Sequence, residues 1–209
     1  KTLPAFCRVA ATLKPTADSD IKIEVWLPIA GWNNSLHSVG NGAWAGSIAY
    51  PAMATALAAG FATASTDTGH VGGAGDFMIG HPEKLVDFGY RAVHTTTTAA
   101  KTVVAAYYRK PPAHSYFEGC STGGREGLME AQRYPNDFDG ISAGAAVMRY
   151  EALNAGHTWL LQRTFRDKLA GNLAFDKDGD GTPESLTKLN LLHDAVLARC
   201  DARDGIKDG

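Results

Sequence analysis

The chain has 209 residues, of which 44% are hydrophobic and 20% are charged; this composition supports one sizeable buried core with an attachment and argues against disorder. Its 20 Lys and Arg residues stand against 22 Asp and Glu residues, for a formal net charge of −2, so we expect neither nucleic acid nor an anionic membrane as a partner. No apolar run is long enough to span a membrane, and residues 1–20 lack a signal peptide's charged start and apolar centre. Because the chain begins at Lys1, we expect that a leader can already have been removed.

The first elements in the chain are predicted to be strands joined by a turn. Residues 8–14 and 21–27 alternate like two strands, and the turn-rich PTADSD between them predicts a hairpin. SLHSV at 35–39 reads as a short strand, and an alanine-rich helix over 51–60 ends at a glycine. A buried strand is expected at 61–66.

The next segment is a glycine-dense loop followed by a long helix. DTGHVGGAGD, residues 67–76, leaves the end of a strand, where sites tend to be built. The pattern then predicts one helix from Pro82 to Tyr108, weakest at the four threonines 95–98, because β-branched residues are poor helix formers.

Strand, helix and strand then alternate, over residues 113–119, 121–135 and 139–145. This rhythm predicts an α/β fold with a mostly parallel sheet and helices on its faces. It also puts the sequence FEGCSTGGR, and with it Ser121, where a strand turns into a helix.

Ser121 lies in a G-x-S-x-G sequence with the flanking elements that a nucleophile elbow requires. Side chains at Gly119 or Gly123 would collide in so tight a turn, and the helix after it aims its amides at the serine. The backbone amide of Thr122 is the expected first oxyanion donor, and Gly42, in GNGAWAG, is the candidate for the second. The alternatives are a solvated serine in a glycine-rich turn and, for Gly42, a plain turn.

The three cysteines, Cys7, Cys120 and Cys200, are far apart, and none belongs to a C-x-x-C pair. They are either buried free thiols or cysteines of a secreted protein whose partners lie outside these residues. The charged, glycine-rich DARDGIKDG at the end favours the second interpretation.

Several motifs in order resemble the tannase and feruloyl esterase family: VGNGAWAG, STDTGH, HPEKLVDFGYRAVH, GCSTGGREGLMEAQRYPNDFDGISAGA and CDARDGIKDG. The resemblance implies an α/β-hydrolase core with an inserted lid domain, only partly present here: residues 1–147 would begin the catalytic domain and 148–209 the lid. It also implies a Ser-Asp-His triad with Ser121 as nucleophile, and a disulfide that joins Cys120 to a cysteine after the triad histidine.

By this resemblance the triad Asp and His lie beyond Gly209, so we expect the chain to be a fragment that is inactive alone. His70 is interpreted as structural or pocket-lining. The other histidines considered are expected to pack or face solvent, and two aspartates to shape the pocket rim or cap turns; these are His94, His157 and His193, and Asp67 and Asp76.

The resemblance further implies a structural lid calcium site held by the side chains of Asp201, Asp204 and Asp208 and the carbonyl of Ile206, a set of hard oxygen ligands. A rival calcium loop at residues 176–181 lacks the glutamate at position twelve, so a solvated turn is expected there. The helix predicted from Pro183 to Arg199 follows it.

The leading hypothesis is a secreted serine esterase that hydrolyses aromatic carboxylic esters, feruloyl or related hydroxycinnamoyl, through an acyl-enzyme on Ser121. The substrate is expected to be a small aromatic ester, either free or attached to a polysaccharide or polyphenol. Alternatives are a galloyl esterase of the tannase type, a terephthalate monoester hydrolase, and, from another class, a non-catalytic calcium-stabilised binding module.

Overall fold

The computed structural model describes residues 3–164 and 187–206 of the chain. The chain divides into two compact units, residues 1–148 and 149–209. The interpretation of the first part as a catalytic domain and the second as a lid stays a prediction. Within the described ranges, no helix is both long and apolar enough to cross a membrane.

A mixed sheet forms the centre of the first unit. Its strands are β1 (Phe6–Leu13), β2 (Ile21–Pro28), β3 (Ser35–Val39), β4 (Ala62–Thr66), β5 (His114–Cys120) and β6 (Gly140–Gly144). Their spatial order is β1-β2-β4-β3-β5-β6. The β1–β2 hairpin and the β2–β4 pair are antiparallel, and the four strands from β4 to β6 are parallel. The predicted mostly parallel sheet is confirmed.

The helices of this unit are α1 (Tyr50–Ala58), α2 (Pro82–Val86), α3 (Ala92–Tyr108) and α4 (Thr122–Arg133), of which α1, α3 and α4 pack against the sheet. On one face Met53 and Leu57 of α1 pack against Trp26 and Val39. On the other face α3 packs on β2, β3 and β4, through Val25, Leu27, Leu36, Ala62, Ala64, Ala100 and Val104. Because β2 is covered on both sides, it is buried almost throughout and does not alternate.

The helix predicted from Pro82 to Tyr108 is confirmed, and it contains a π-helical turn. A π-helical turn at Asp87–Arg91 separates α2 from α3, whereas the threonines expected to weaken the helix lie inside α3. The hydroxyls of Thr95, Thr97 and Thr98 donate to carbonyls one turn back, as Thr97 does to Val93 at 2.8 Å. These local hydrogen bonds satisfy three of the four hydroxyls within the helix, whereas the buried hydroxyl of Thr96 has no partner among the described residues.

The second unit is helical where it is described. It contains α5 (Tyr150–Thr164), α6 (Thr187–Cys200) and a 3₁₀ turn at Asp201–Asp204. The start of the predicted helix at Pro183 and the rival calcium loop at 176–181 lie outside the described residues.

Candidate active site

Ser121 lies in a strained backbone conformation between β5 and α4. Its φ and ψ are 60° and −116°, a combination that costs a non-glycine residue about 1–3 kcal/mol. The amide of Ser121 donates to the carbonyl of Gly144 at 3.0 Å, so the turn is anchored to the end of β6. The hydroxyl does not cap α4. It is therefore free of the usual role of a serine at a helix start.

The glycines around Ser121 are required by close backbone contacts. A Cβ on Gly119 would lie 2.4 Å from the carbonyl carbon of Gly123, and one on Gly123 would lie 2.9 Å from the carbonyl oxygen of Asn41. A Cβ on Gly124 would lie 2.3 Å from the carbonyl oxygen of Gly144. The predicted steric need for glycine at positions 119 and 123 is confirmed.

The loop of residues 40–46, which we call the oxyanion loop, lies against the first turn of α4. The amide of Gly123 donates to the carbonyl of Asn41 at 2.8 Å, and the Thr122 hydroxyl donates to the carbonyl of Ala43 at 2.7 Å. Thr122 is the first residue of α4, so its amide has no acceptor within the helix. The fold thus brings together the two segments that were expected to supply the oxyanion donors.

Gly42 is exposed in this loop, and its carbonyl accepts the amide of Ala45 at 2.9 Å. A Cβ at this position would meet nothing within 4 Å, so packing does not require a glycine there. The neighbouring Ala43 adopts a φ of 48°, which gives the loop its sharp bend. The donor roles of Gly42 and Thr122, and the nucleophilic role of Ser121, stay predictions.

Two buried polar residues that the sequence analysis missed support the oxyanion loop. The side-chain amide of Asn41 donates to the carbonyls of Ser47 and Thr66, each at 2.9 Å. The main-chain amide of Asn41 donates to the carboxylate of Glu126 at 3.1 Å. Burial raises the pKa of Glu126 to about 7, although the charge of Arg125 and the Asn41 hydrogen bond oppose the rise. The sequence signal that could have identified Glu126 is its position, one turn after Thr122 and on the side of α4 that carries the glycines.

His70 supports the oxyanion loop from the glycine-dense loop. Its Nε2 lies 2.7 Å from the carbonyl oxygen of Trp44, and its ring stacks on Phe77 at 3.7 Å. Asp67 accepts the amides of Lys22 at 2.9 Å and Gly69 at 2.8 Å, while burial raises its pKa. Both residues have the structural roles that were the default expectation.

His94 belongs to a polar cluster at the other end of α4. Its Nδ1 lies 2.6 Å from Asp137, and its ring stacks on Tyr134 at 3.8 Å. Glu130 is fully buried beside them, and its burial, with repulsion from Asp137 and Glu126, raises its pKa to about 8. Ligand atoms of His94, Glu130 and Asp137 lie within 4.8 Å of one another, a donor set that suits a divalent cation as well as a shared proton.

No histidine of the described residues is hydrogen-bonded to Ser121. Cys7, Cys120 and Cys200 form no disulfide with one another. Cys120 is exposed and lines a cavity of about 540 Å³ next to α1, so a partner cysteine can reach it. That the partner lies outside this chain stays a prediction.

The predicted calcium ligands are only partly described. Asp201 begins the 3₁₀ turn, and Gly205, with a φ of 95°, turns the chain sharply before Ile206. Asp208 and the side chain of Asp204 lie outside what the structure describes. The four proposed groups are all oxygen donors, which are the ligands that calcium prefers.

A mostly parallel sheet of this strand order, with a serine in a strained turn between a strand and a helix, defines the core of an α/β-hydrolase. The family model described as tannase and feruloyl esterase matches residues 7–209. The chain belongs to this family.

Relatives of known name agree with the family match. An uncharacterized esterase of Xanthomonas campestris pv. campestris is 43% identical over 99% of the chain and 34% of that protein. A probable feruloyl esterase B-1 of Aspergillus fumigatus is 36% identical over 98% of the chain and 36% of that protein. The chain thus spans about a third of the length of the curated relatives it matches.

The fold matches solved structures of the same kind. The crystal structure of feruloyl esterase B from Aspergillus oryzae superposes with a TM-score of 0.81 at 34% identity, over 97% of this chain and 38% of that one. Tannin acyl hydrolase from Aspergillus niger superposes with a TM-score of 0.69 at 24% identity, over 97% of this chain and 37% of that one, and shows the shared fold alone. The predicted α/β-hydrolase core is confirmed.

Proposed function

We propose that this chain carries the nucleophile of a secreted serine esterase that hydrolyses aromatic carboxylic esters, with feruloyl and related hydroxycinnamoyl esters as the leading substrates. The observation that carries the proposal is the conformation of Ser121, with φ 60° and ψ −116° at the start of α4. A strained serine whose hydroxyl does not cap its helix is the arrangement of a nucleophile elbow. The names of the feruloyl esterase relatives support the substrate class.

In this proposal the oxygen of Ser121 attacks the acyl carbon while a histidine base takes the hydroxyl proton. The charge that develops on the carbonyl oxygen is bound by the amides of Thr122 and Gly42. The proton then passes to the departing alcohol, and water attacks the acyl-enzyme to release the acid and regenerate Ser121. We propose that the base and its aspartate lie outside these residues, as does the cysteine that bridges to Cys120.

A structural calcium ion in the second unit is part of the proposal. The ligands would be the side chains of Asp201, Asp204 and Asp208 and the carbonyl of Ile206. The ion would stabilise the turn that these residues form and would take no part in catalysis. We expect added calcium to raise the melting temperature of the complete gene product and Asp201→Asn to weaken that rise. An equal rise in this variant would remove Asp201 from the ligand set.

The test of the esterase proposal is Ser121→Ala in the complete gene product. We expect hydrolysis of a feruloyl ester to fall by at least about a thousandfold, because acyl transfer loses its nucleophile. The matched control is Ser142→Ala, which changes an exposed serine on β6 outside the elbow and should leave activity intact. Unchanged hydrolysis in Ser121→Ala would remove the proposal.

The same assay separates the alternative functions. Comparing a feruloyl ester, a galloyl ester and mono(2-hydroxyethyl) terephthalate would rank the three acyl specificities. A wild type that hydrolyses none of the three, yet binds one of them, would favour the non-catalytic binding module.

A further inference from the structure

The candidate site lies against a buried carboxylate that the mechanism above does not use. Glu126 is only 2% exposed and lies about one helical turn after Thr122. A Cβ on Gly40 would come within 2.8 Å of its Oε2, the oxygen that accepts the amide of Asn41. The carboxylate is therefore packed directly against the start of the oxyanion loop.

Asn41 connects that carboxylate to the rest of the loop. Its carbonyl accepts the amide of Gly123 at 2.8 Å, and its side chain holds the carbonyls of Ser47 and Thr66. Asn41 thereby joins the beginning of the loop to its end, to β4 and to α4. Its own main-chain amide is buried, and Glu126 supplies the acceptor that such an amide needs.

We propose that Glu126 is a positioning residue: through Asn41 it holds the oxyanion loop at the separation from α4 at which a loop amide and the Thr122 amide can bind one oxyanion. The inference rests on the proposed esterase function. Glu126 acts through Asn41 and not by contact with the substrate. Its effect on rate is that of preorganisation, because a donor displaced by a fraction of an ångström binds the transition state less well.

The hydrogen bond, rather than the negative charge, is what this position needs. The pKa of Glu126 is raised to about 7 by burial, so the group titrates near neutral pH, and a carboxyl oxygen can accept the Asn41 amide in either protonation state. The charged groups that face Glu126 are Arg125, whose Nη2 lies 4.0 Å from Oε1, and Glu130 on the next turn of α4. A glutamine keeps the acceptor without the charge, and a leucine removes it at similar size.

The experiment compares three variants of the complete gene product: Glu126→Leu, Glu126→Gln and, as a matched control, Glu130→Leu. Glu130 is buried on the same side of α4 but one turn further from the loop. We expect Glu126→Leu to lower kcat by about tenfold to a hundredfold with KM changed by less than about twofold. Glu126→Gln and Glu130→Leu should stay within about threefold of the wild-type kcat.

Two further measurements separate positioning from a general loss of structure. An arylboronic acid forms a tetrahedral adduct on a nucleophilic serine, so its inhibition constant should rise in Glu126→Leu by the same factor as kcat falls. Hydrogen exchange of residues 40–46, which needs no activity, should be faster in Glu126→Leu and unchanged in Glu126→Gln.

A wild-type kcat in Glu126→Leu would overturn the proposal, as would a loss in Glu126→Gln equal to that in Glu126→Leu. An increase in KM at constant kcat would assign Glu126 to substrate binding instead. If Ser121→Ala retained activity, the esterase proposal would fail separately. Hydrogen exchange would then be the remaining test of the role of Glu126, and unchanged exchange in Glu126→Leu would show that Glu126 does not hold the loop.

Discussion

The N-terminal and C-terminal ends of α4 are strained in different ways. At the N-terminal end Ser121 has a φ of 60°, and Gly119 and Gly123 approach so closely that neither tolerates a side chain. At the C-terminal end the backbone is regular, but the fully buried Glu130 has its pKa raised to about 8. One helix thus combines unfavourable backbone geometry at the candidate site with a buried carboxyl group, away from that site, whose ionisation is unfavourable. Mutations that relieve or worsen each kind of strain can separate the two.

The largest expected effect comes from worsening the strain at the N-terminal end. Gly119→Ala would place a methyl group 2.4 Å from the Gly123 carbonyl carbon, and we expect a loss of about 3 kcal/mol of unfolding free energy because backbone atoms must move apart. Activity should fall with it, since the elbow shifts. Urea unfolding and ester hydrolysis measure the two effects.

Gly156→Ala is the matched control for that change. A Cβ on Gly156 in α5 meets nothing within 4 Å, and an alanine inside a helix is favoured over glycine by about 1 kcal/mol. A Gly119→Ala protein as stable as Gly156→Ala would show that the elbow is not closely packed.

A second effect, which depends on pH, is expected at the C-terminal end. Because folding raises the pKa of Glu130, its protonated form stabilises the fold fully below about pH 4.5, and this contribution is lost as the pH rises through about 8. We expect Glu130→Gln to flatten that decline by a few kcal/mol, since one unit of pKa shift corresponds to about 1.4 kcal/mol. Urea unfolding at several pH values between 4.5 and 9 measures it.

Glu126→Gln is the internal comparison. The fall in unfolding free energy with rising pH that this variant removes should be complete near pH 7. A parallel pH dependence in Glu130→Gln and wild type would contradict the prediction. Stabilisation of the wild type by added zinc at high pH, absent from Glu130→Gln, would instead identify the cluster with His94 and Asp137 as a cation site.

The smallest expected effect comes from relieving the strain at the N-terminal end. Ser121→Gly should raise the unfolding free energy by about 1 kcal/mol relative to Ser121→Ala, because glycine adopts a positive φ without steric penalty. Both variants lack the hydroxyl, so the comparison isolates the backbone. Equal thermal stability of the two would show that position 121 is not strained.

The sequence predicted the elements around Ser121 well because their signals are local. The alternation of apolar and polar residues predicted the strands, and the pattern of glycines around Ser121 predicted the strand-to-helix turn before any contact was known. The threonines at 95–98 were expected to be the weakest part of the helix, because propensity alone does not register hydrogen bonds such as that from Thr97 to its own helix; the π-helical turn lies before them instead.

What the sequence alone determined is the order of strands and helices and the position of the serine between them, since both depend on residues close together in the chain. Only the tertiary structure decided that Glu126 accepts the amide of Asn41, 85 residues away, and that His94 meets Asp137, 43 residues away. The physical reason is that such pairs form only when strands and helices pack side by side, and no periodicity along the chain records which buried polar group will find which partner.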